Sequence, residues 1–314
     1  MATRQDRVAT AQLEPVSEAD DAWRAGVFLG HDIGPDGPGW RLSELRFVFN
    51  SRRSRYTLRV RTAAKELVGL KRRVVETHMF WAYGNFSNLE ILCATSFLRH
   101  GYQLNIWTYA GLSNAPTGVK YRNARKIITE DQVFLNKRGS YASFADWFRY
   151  TLLSEVGGLY VDTDVVTLLP ADKLPKRKFL VTERVQGLQD GVKINSNVIF
   201  NPTPSNGDLI ELARRHSASF PKAEASWSEL GPDLLTAMVH RYPKHGFDIK
   251  PPNFANPIDW WDCPTAFLGT ARTLPSGVAF VHLYNERWRV QQVDKDSPFP
   301  EGSLIDAIRR RIQG

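Results

Sequence analysis

At 314 residues with 42% hydrophobic side chains, the chain can hold one large α/β domain or two small ones around a proper core. Two cysteines, Cys93 and Cys263, exclude a disulfide framework and a zinc cluster, and neither a signal-peptide core nor a run of about 18 apolar residues occurs. The net charge of +8 sits in one place: Arg52 to Arg73 holds nine Lys/Arg against the single Glu66, and the rest of the chain is close to neutral.

Residues 1 to about 45 are polar and rich in Gly, Pro and Asp around His31 to Gly39, which predicts a mobile or loosely docked extension, with a short element over Leu42 to Phe49. The basic run that follows, with Tyr56, Leu58, Val60, Leu67, Val68 and Leu70 interspersed, is either a solvated, partly helical face or a surface drawn to an anionic membrane. Nucleic acid is disfavoured, because aromatic stacking residues are scarce within it. The expected division is an extension over 1–73 and a single domain over 74–314. Val74 to Trp81 reads as a first strand ending at Tyr83-Gly84, Leu89 to Leu98 has helical periodicity, and Gln103 to Tyr109 alternates like a second strand. Strand, helix, strand at this spacing predicts a parallel α/β unit.

The densest information lies between Ser143 and Leu169. Phe144, Trp147, Phe148, Leu152 and Val156 recur at three- and four-residue spacing and form one buried stripe of a helix, on which Asp146 and Arg149 are neighbours. Gly157 or Gly158 suits the left-handed residue that ends a helix. Leu159 to Val161 then reads as a buried strand, and in an extended chain Asp162 and Asp164 point the same way while Thr163 points to the other side. Two carboxylates on one edge with no Lys or Arg nearby in sequence repel each other, and a divalent cation removes that cost. All-oxygen ligation favours Mg²⁺ or Mn²⁺ over zinc. Alone, an Asp-x-Asp is most often a solvated strand end or turn. Further along, Phe179 to Val181, Asn197 to Phe200 and Val278 to Val281 read as strands. Leu209 to His216, Asp233 to His240 after Gly231-Pro232, and the basic tail Leu304 to Ile312 read as helices.

The string Ala145-Asp146, Arg149, Leu152-Leu153, Gly157-Gly158, Tyr160 and Asp162-Thr163-Asp164 resembles the sugar-nucleotide-binding region of the DXD-motif glycosyltransferases. That group includes the yeast initiating α-1,6-mannosyltransferase, the α-1,4-galactosyl- and N-acetylglucosaminyltransferases, bacterial capsule and lipopolysaccharide enzymes and, more distantly, the clostridial glucosylating toxins. Weaker agreement runs from about Val75 to the end. The resemblance implies a GT-A-like, Rossmann-type nucleotide-sugar-binding domain with a mostly parallel central sheet. It also implies a metal-dependent, retaining transfer of a hexose from a nucleotide sugar, a UDP-sugar rather than GDP-mannose, to a glycan or lipid-linked glycan, with Mn²⁺ or Mg²⁺ as cofactor. Asp164 is then the direct metal ligand, and Asp162 holds the metal through water or contacts the ribose and sugar. Asp146 and Arg149 hold hydroxyls of the donor sugar, and Trp81 or Tyr83 stacks on the base. Asn195-Ser196-Asn197 forms a loop facing sugar and acceptor, and His282 is the third ligand or a phosphate contact, ahead of Asn285. Retention by a front-face route lets the leaving phosphate take the acceptor's proton, so no dedicated base is required. The Golgi relatives carry an N-terminal membrane helix that this sequence lacks, so the expected location is the cytoplasm, with the basic run offering peripheral contact to the inner membrane face.

Two other readings compete. Asp162-Thr163-Asp164-Val165-Val166 also satisfies the opening motif of haloacid-dehalogenase-like phosphatases, where the first Asp is a nucleophile. That motif lies near the start of its domain, and a later acidic pair is wanting here, since Asp259 and Asp262 flank Trp260-Trp261 in an odd fit. A non-catalytic carbohydrate-binding relative is the second, and the intact Asp146, Arg149, Asp162 and Asp164 argue against it.

Overall fold

In a computed structural model that describes residues 74–270 and 273–313, the chain first enters the sheet at β1 (Glu76–Phe80), so the N-terminal extension, the short element and the basic run all lie outside the described residues. Helix α1 (Asn88–Arg99) follows, opened by a capping box in which Ser87 accepts from the Leu89 N–H and Glu90 accepts the Ser87 N–H at 2.7 Å. Next come β2 (Gln103–Thr108), β3 (Lys120–Asn123), α2 (Ala142–Glu155), β4 (Gly158–Val161), β5 (Val165–Thr167), β6 (Phe179–Arg184), β7 (Val192–Asn201) and α3 (Leu209–Ser219). The chain closes with α4 (Pro232–Arg241), β8 (Asp248–Lys250), α5 (Pro252–Ala255), α6 (Thr265–Leu268), β9 (Phe280–His282), α7 (Asn285–Val290) and α8 (Leu304–Gln313). Among the described residues no helix is long and apolar enough to cross a membrane.

Seven strands form one sheet in the order β3-β2-β1-β4-β7-β6-β8. β1 pairs in parallel with β2 and β4, β2 with β3, and β6 with β8, while β7 alone runs against its neighbours β4 and β6. This is the mostly parallel sheet expected of a GT-A-like domain. Because β7 reverses twice, β6 points the same way as β4 and β1, and the carboxyl ends of all three open on one rim, where open α/β sheets bind ligands. One face of the sheet is covered by α2, α3 and α4 through Phe144, Phe148, Leu152, Ile210 and Leu235; the other receives α1 and α5 through Phe97 and Ala255.

The helix-to-strand joint between α2 and β4 depends on both glycines rather than one. Gly157 and Gly158 have φ of +75° and +101°, and a Cβ on Gly158 would lie 2.8 Å from the Glu76 carbonyl oxygen and 3.0 Å from His78 Nε2. The chain therefore leaves the helix and touches β1 with no room for a side chain.

Three local expectations change. Asp162 to Asp164 is a turn closed by the Val165 N–H on the Asp162 carbonyl at 3.1 Å, not a strand end with two-residue alternation. Beyond it the chain resumes as β5, which pairs antiparallel with β9 in a separate two-stranded sheet, so His282 lies within a strand, opposite Val165. Asn195-Ser196-Asn197 is not a loop. It lies inside the ten-residue β7, where the β6 register jumps from Leu180↔Ile199 to Val181↔Asn195 and leaves Ser196, Asn197 and Val198 without β6 partners. Small polar residues resembled a turn because turns and bulges share the need for them.

Replacing Gly158 by Ala should cost about 2–4 kcal/mol, combining left-handed strain with a backbone collision. Urea unfolding followed by circular dichroism would show it, and an unchanged midpoint would contradict the tight joint.

Candidate functional site

The rim cluster is built from the turn after β4 and from β9. One ligand atom each of Asp162, Asp164 and His282 lies within 4.8 Å of the others. The main chain sets this distance: β5 and β9 pair through Val165 and His282, and the Leu283 N–H reaches the Asp164 carbonyl at 2.8 Å. The Asp164 carboxylate accepts the Asn285 N–H at 2.7 Å through Oδ2, which also lies 3.4 Å from His282 Nε2. Tyr284, at φ +52°, places its ring 3.9 Å from the His282 imidazole, a strained backbone of the kind that collects at functional sites.

Asp162 has a cation after all, thirteen residues back in sequence. Arg149 meets Asp162 Oδ1 at 3.0 Å and Asp146 Oδ1 at 3.4 Å, donates to the Ser196 carbonyl, and lies over the Tyr160 ring at 4.9 Å. The Ser196 hydroxyl donates to Asp146 at 2.9 Å. Asp146 and Arg149 are buried despite their charge, and helical spacing alone did not reveal that. Gly231, next to Pro232 at the start of α4, comes so close that a Cβ there would lie 2.6 Å from Asp146 Oδ2.

β7 separates two polar groups. Ser196 faces α2, while Asn195 and Asn197 face the opposite layer. Asn195 is engaged at both ends of its amide, accepting the Asn197 N–H at 2.9 Å and donating to Glu183 at 2.7 Å. The Asn197 amide donates to Asn256 at 2.9 Å, and Asn256 in turn donates to the Thr182 carbonyl at 2.9 Å. Two buried atoms of this region, Asn197 Oδ1 and His282 Nδ1, have no hydrogen-bond partner among the described residues.

Trp81 and Tyr83 sit at the end of β1 with local contacts. The Trp81 indole N–H donates to the Gly84 carbonyl at 3.1 Å and its ring meets the Phe86 ring edge-on. Tyr83 is exposed, donates to Glu130 at 3.0 Å and stacks on Tyr109, beside a cleft of about 350 Å³ lined by Tyr109, Tyr121, Arg122 and Arg125.

Sequence reasoning missed Glu183, Asn256 and Glu90. Glu90, fully buried in α1, accepts from Asn285 Nδ2 and Lys295, each at 2.7 Å, and so supports the loop that holds Asp164. Only the position of Glu183 at a strand end on the ligand rim could have flagged it.

The charges are mutually adjusted. Burial pushes the Asp162 carboxyl up to about 7, against the pull of Arg149, and Asp164 adds to the rise. Burial also opposes ionisation of Asp164, but His282 and the Asn285 N–H outweigh it and hold the group below its usual range. For His282, burial favours the neutral ring, yet Asp164 wins and raises the pKa above the ordinary 6.5. Burial raises Asp146, with Arg149 and the Ser196 hydroxyl opposing.

Two carboxylates and an imidazole whose ligand atoms converge within 4.8 Å form a donor set that suits a divalent cation. Asp162 and His282 must each shed a proton to ligate, and both hold it more tightly than usual. Mn²⁺ affinity should therefore rise at least tenfold between about pH 6 and pH 8, with proton release on binding. Calorimetry in two buffers measures both, and a flat or falling affinity would count against these ligands.

Residues 75–180 match the glycosyltransferase sugar-binding region containing the DXD motif. Among solved structures, the PaToxG glycosyltransferase is similar at 18% identity and TM-score 0.40, over 60% of this chain and 77% of that one. The apo form of GlyE from Streptococcus pneumoniae TIGR4 is similar at 16% identity and TM-score 0.37, over 76% of this chain and 60% of GlyE. The bifunctional glycosyltransferase WbbM is similar at 11% identity and TM-score 0.37, over 78% of this chain and 53% of WbbM. No curated protein matches. Structural likenesses this slight carry no functional weight; the region match and the rim geometry do.

Proposed function

We infer the reaction from one premise, that this chain carries the sugar-binding region of the DXD glycosyltransferases and is a glycosyltransferase. The proposed reaction is the retaining, metal-dependent transfer of a hexose from a nucleotide sugar, a UDP-sugar by preference, to a glycan or lipid-linked glycan. The observation that carries it is the convergence of Asp162, Asp164 and His282 next to the buried Asp146–Arg149 pair.

Asp164, Asp162 and His282 would hold the cation, and the mixed oxygen and nitrogen set favours Mn²⁺ over Mg²⁺. When bound, such an ion neutralises negative charge on a diphosphate leaving group, a contribution of several kcal/mol. The protein supplies the rest. Arg149 spends its donors on Asp146, Asp162 and the Ser196 carbonyl, so it orients the two carboxylates and leaves Asp146 to receive sugar hydroxyls. Tyr83, exposed above Tyr109, is the better candidate for the base, because Trp81 is tied to Gly84 and Phe86. A phosphatase reading is weaker: its nucleophile would be Asp162, which Arg149 grips.

The acceptor side of the proposal rests on the basic run Arg52 to Arg73, which would bring the enzyme to an anionic cytoplasmic membrane face. Salt-sensitive sedimentation with anionic vesicles is expected, and the charge-reversed variant at Arg52, Arg53, Arg55 and Arg59 should stay in solution. Equal sedimentation of the two would point to a soluble acceptor.

With a panel of UDP- and GDP-sugars and Mn²⁺, donor hydrolysis should stop in excess chelator, and Asp164→Asn should lower the rate more than a hundredfold, about 3 kcal/mol. Full activity without metal would overturn the assignment.

A further inference from the structure

We propose that Glu183 is a sugar-recognition residue of this site, reading a hydroxyl of the transferred hexose from the side opposite Asp146; the inference rests on the glycosyltransferase reading above. Glu183 is the next-to-last residue of β6, which points the same way as β4, so it stands at the rim that carries Asp162. The register break in β7 sends Ser196 to Asp146 on one face and leaves Asn195 with Glu183 on the other. Asp146 and Glu183 therefore approach the rim from opposite faces of the same strand.

Glu183 is 7% exposed, and its charge reaches His282 and Tyr284. Its Oε2 accepts from Asn195 at 2.7 Å, whereas Oε1 has Lys193 Nζ at 3.8 Å, beyond a hydrogen bond. A buried carboxylate with an oxygen so weakly engaged is costly unless another donor reaches it. Independent of Glu183, the buried Asn197 Oδ1 also has no hydrogen-bond partner among the described residues. Two under-used polar atoms on the layer that carries the metal cluster suit a polyhydroxylated ligand. A pyranose carries hydroxyls around its ring, so a pocket that tells epimers apart needs polar groups on more than one side, and a hydroxyl's O–H finds its acceptor in Glu183.

Glu183→Gln keeps the shape and an oxygen for Asn195 but removes the charge. Hydrolysis of UDP-glucose, UDP-galactose and UDP-xylose with Mn²⁺, and binding of UDP with Mn²⁺, would be compared in parent and variant. Expected are UDP binding within twofold of the parent and kcat/KM for the preferred hexose lowered about 10- to 100-fold. The parent's preference among the three sugars should collapse, because the lost contact is the one that discriminated. Glu183→Asp, which keeps the charge one methylene further back, should be intermediate and provides the same ratios if the Gln variant does not fold. An active parent whose sugar preference is unchanged in the variants, or variants in which UDP binding falls in step with turnover, would overturn the role of Glu183 alone. A parent inert on every nucleotide sugar would overturn the transferase reading instead.

Discussion

The site depends on one buried cation. Arg149 is held between Asp146 and Asp162 and capped by the Ser196 carbonyl, and it ties a helix, a turn and a bulged strand into one unit. Burial works against a guanidinium, yet Asp162 and Asp146 outweigh it and keep its pKa above the usual value. Each member needs the others. Breaking a buried pair by removing one partner typically costs about 3–5 kcal/mol, more than a surface helix pair ever contributes. The arrangement thus belongs to the interior energetics of the fold, although one of its members, Asp162, stands at the rim.

The second constraint is the small β5/β9 ribbon. Asp162 and Asp164 belong to the main sheet and its turn, whereas His282 arrives from a segment more than a hundred residues later. Main-chain pairing opposite Val165 fixes where the imidazole stands, and Asn285 and Glu90 brace the carboxylate beside it. Positioning by backbone pairing is stiffer than positioning by loops, which suits a cluster that must bring like charges together.

Much of this was legible in the sequence. Periodicity gave α2, the glycine pair gave its sharp exit, and strand–helix–strand spacing gave the parallel β1–α1–β2 unit. What escaped was non-local. The partner of Asp162 is an Arg on the preceding helix, brought within 3.0 Å by the reversal at Gly157 and Gly158, and linear proximity gave no hint of it. Asn195 to Asn197 looked like a turn because composition reports local preference, while a register break is a property of two strands. Glu183 stands in Phe-Leu-Val-Thr-Glu-Arg, a string no different from any strand that runs out into solvent; its burial comes from Asn195 and the layer beyond.

The irregular stretch of β7 has an evolutionary corollary. Between Ile194 and Asn197 successive side chains go to opposite faces, Ser196 to Asp146 and its neighbours to Glu183 and Asn256, before Val198 joins the layer that Asn197 faces. A conservative replacement there alters one contact. A single-residue insertion or deletion between Ile194 and Asn197 would exchange the faces, handing the serine's place to an asparagine and depriving both Asp146 and Glu183 of their partners. Among homologues, spacing in this strand should therefore be held more strictly than residue identity, and alignment gaps should collect in the connections on either side of it.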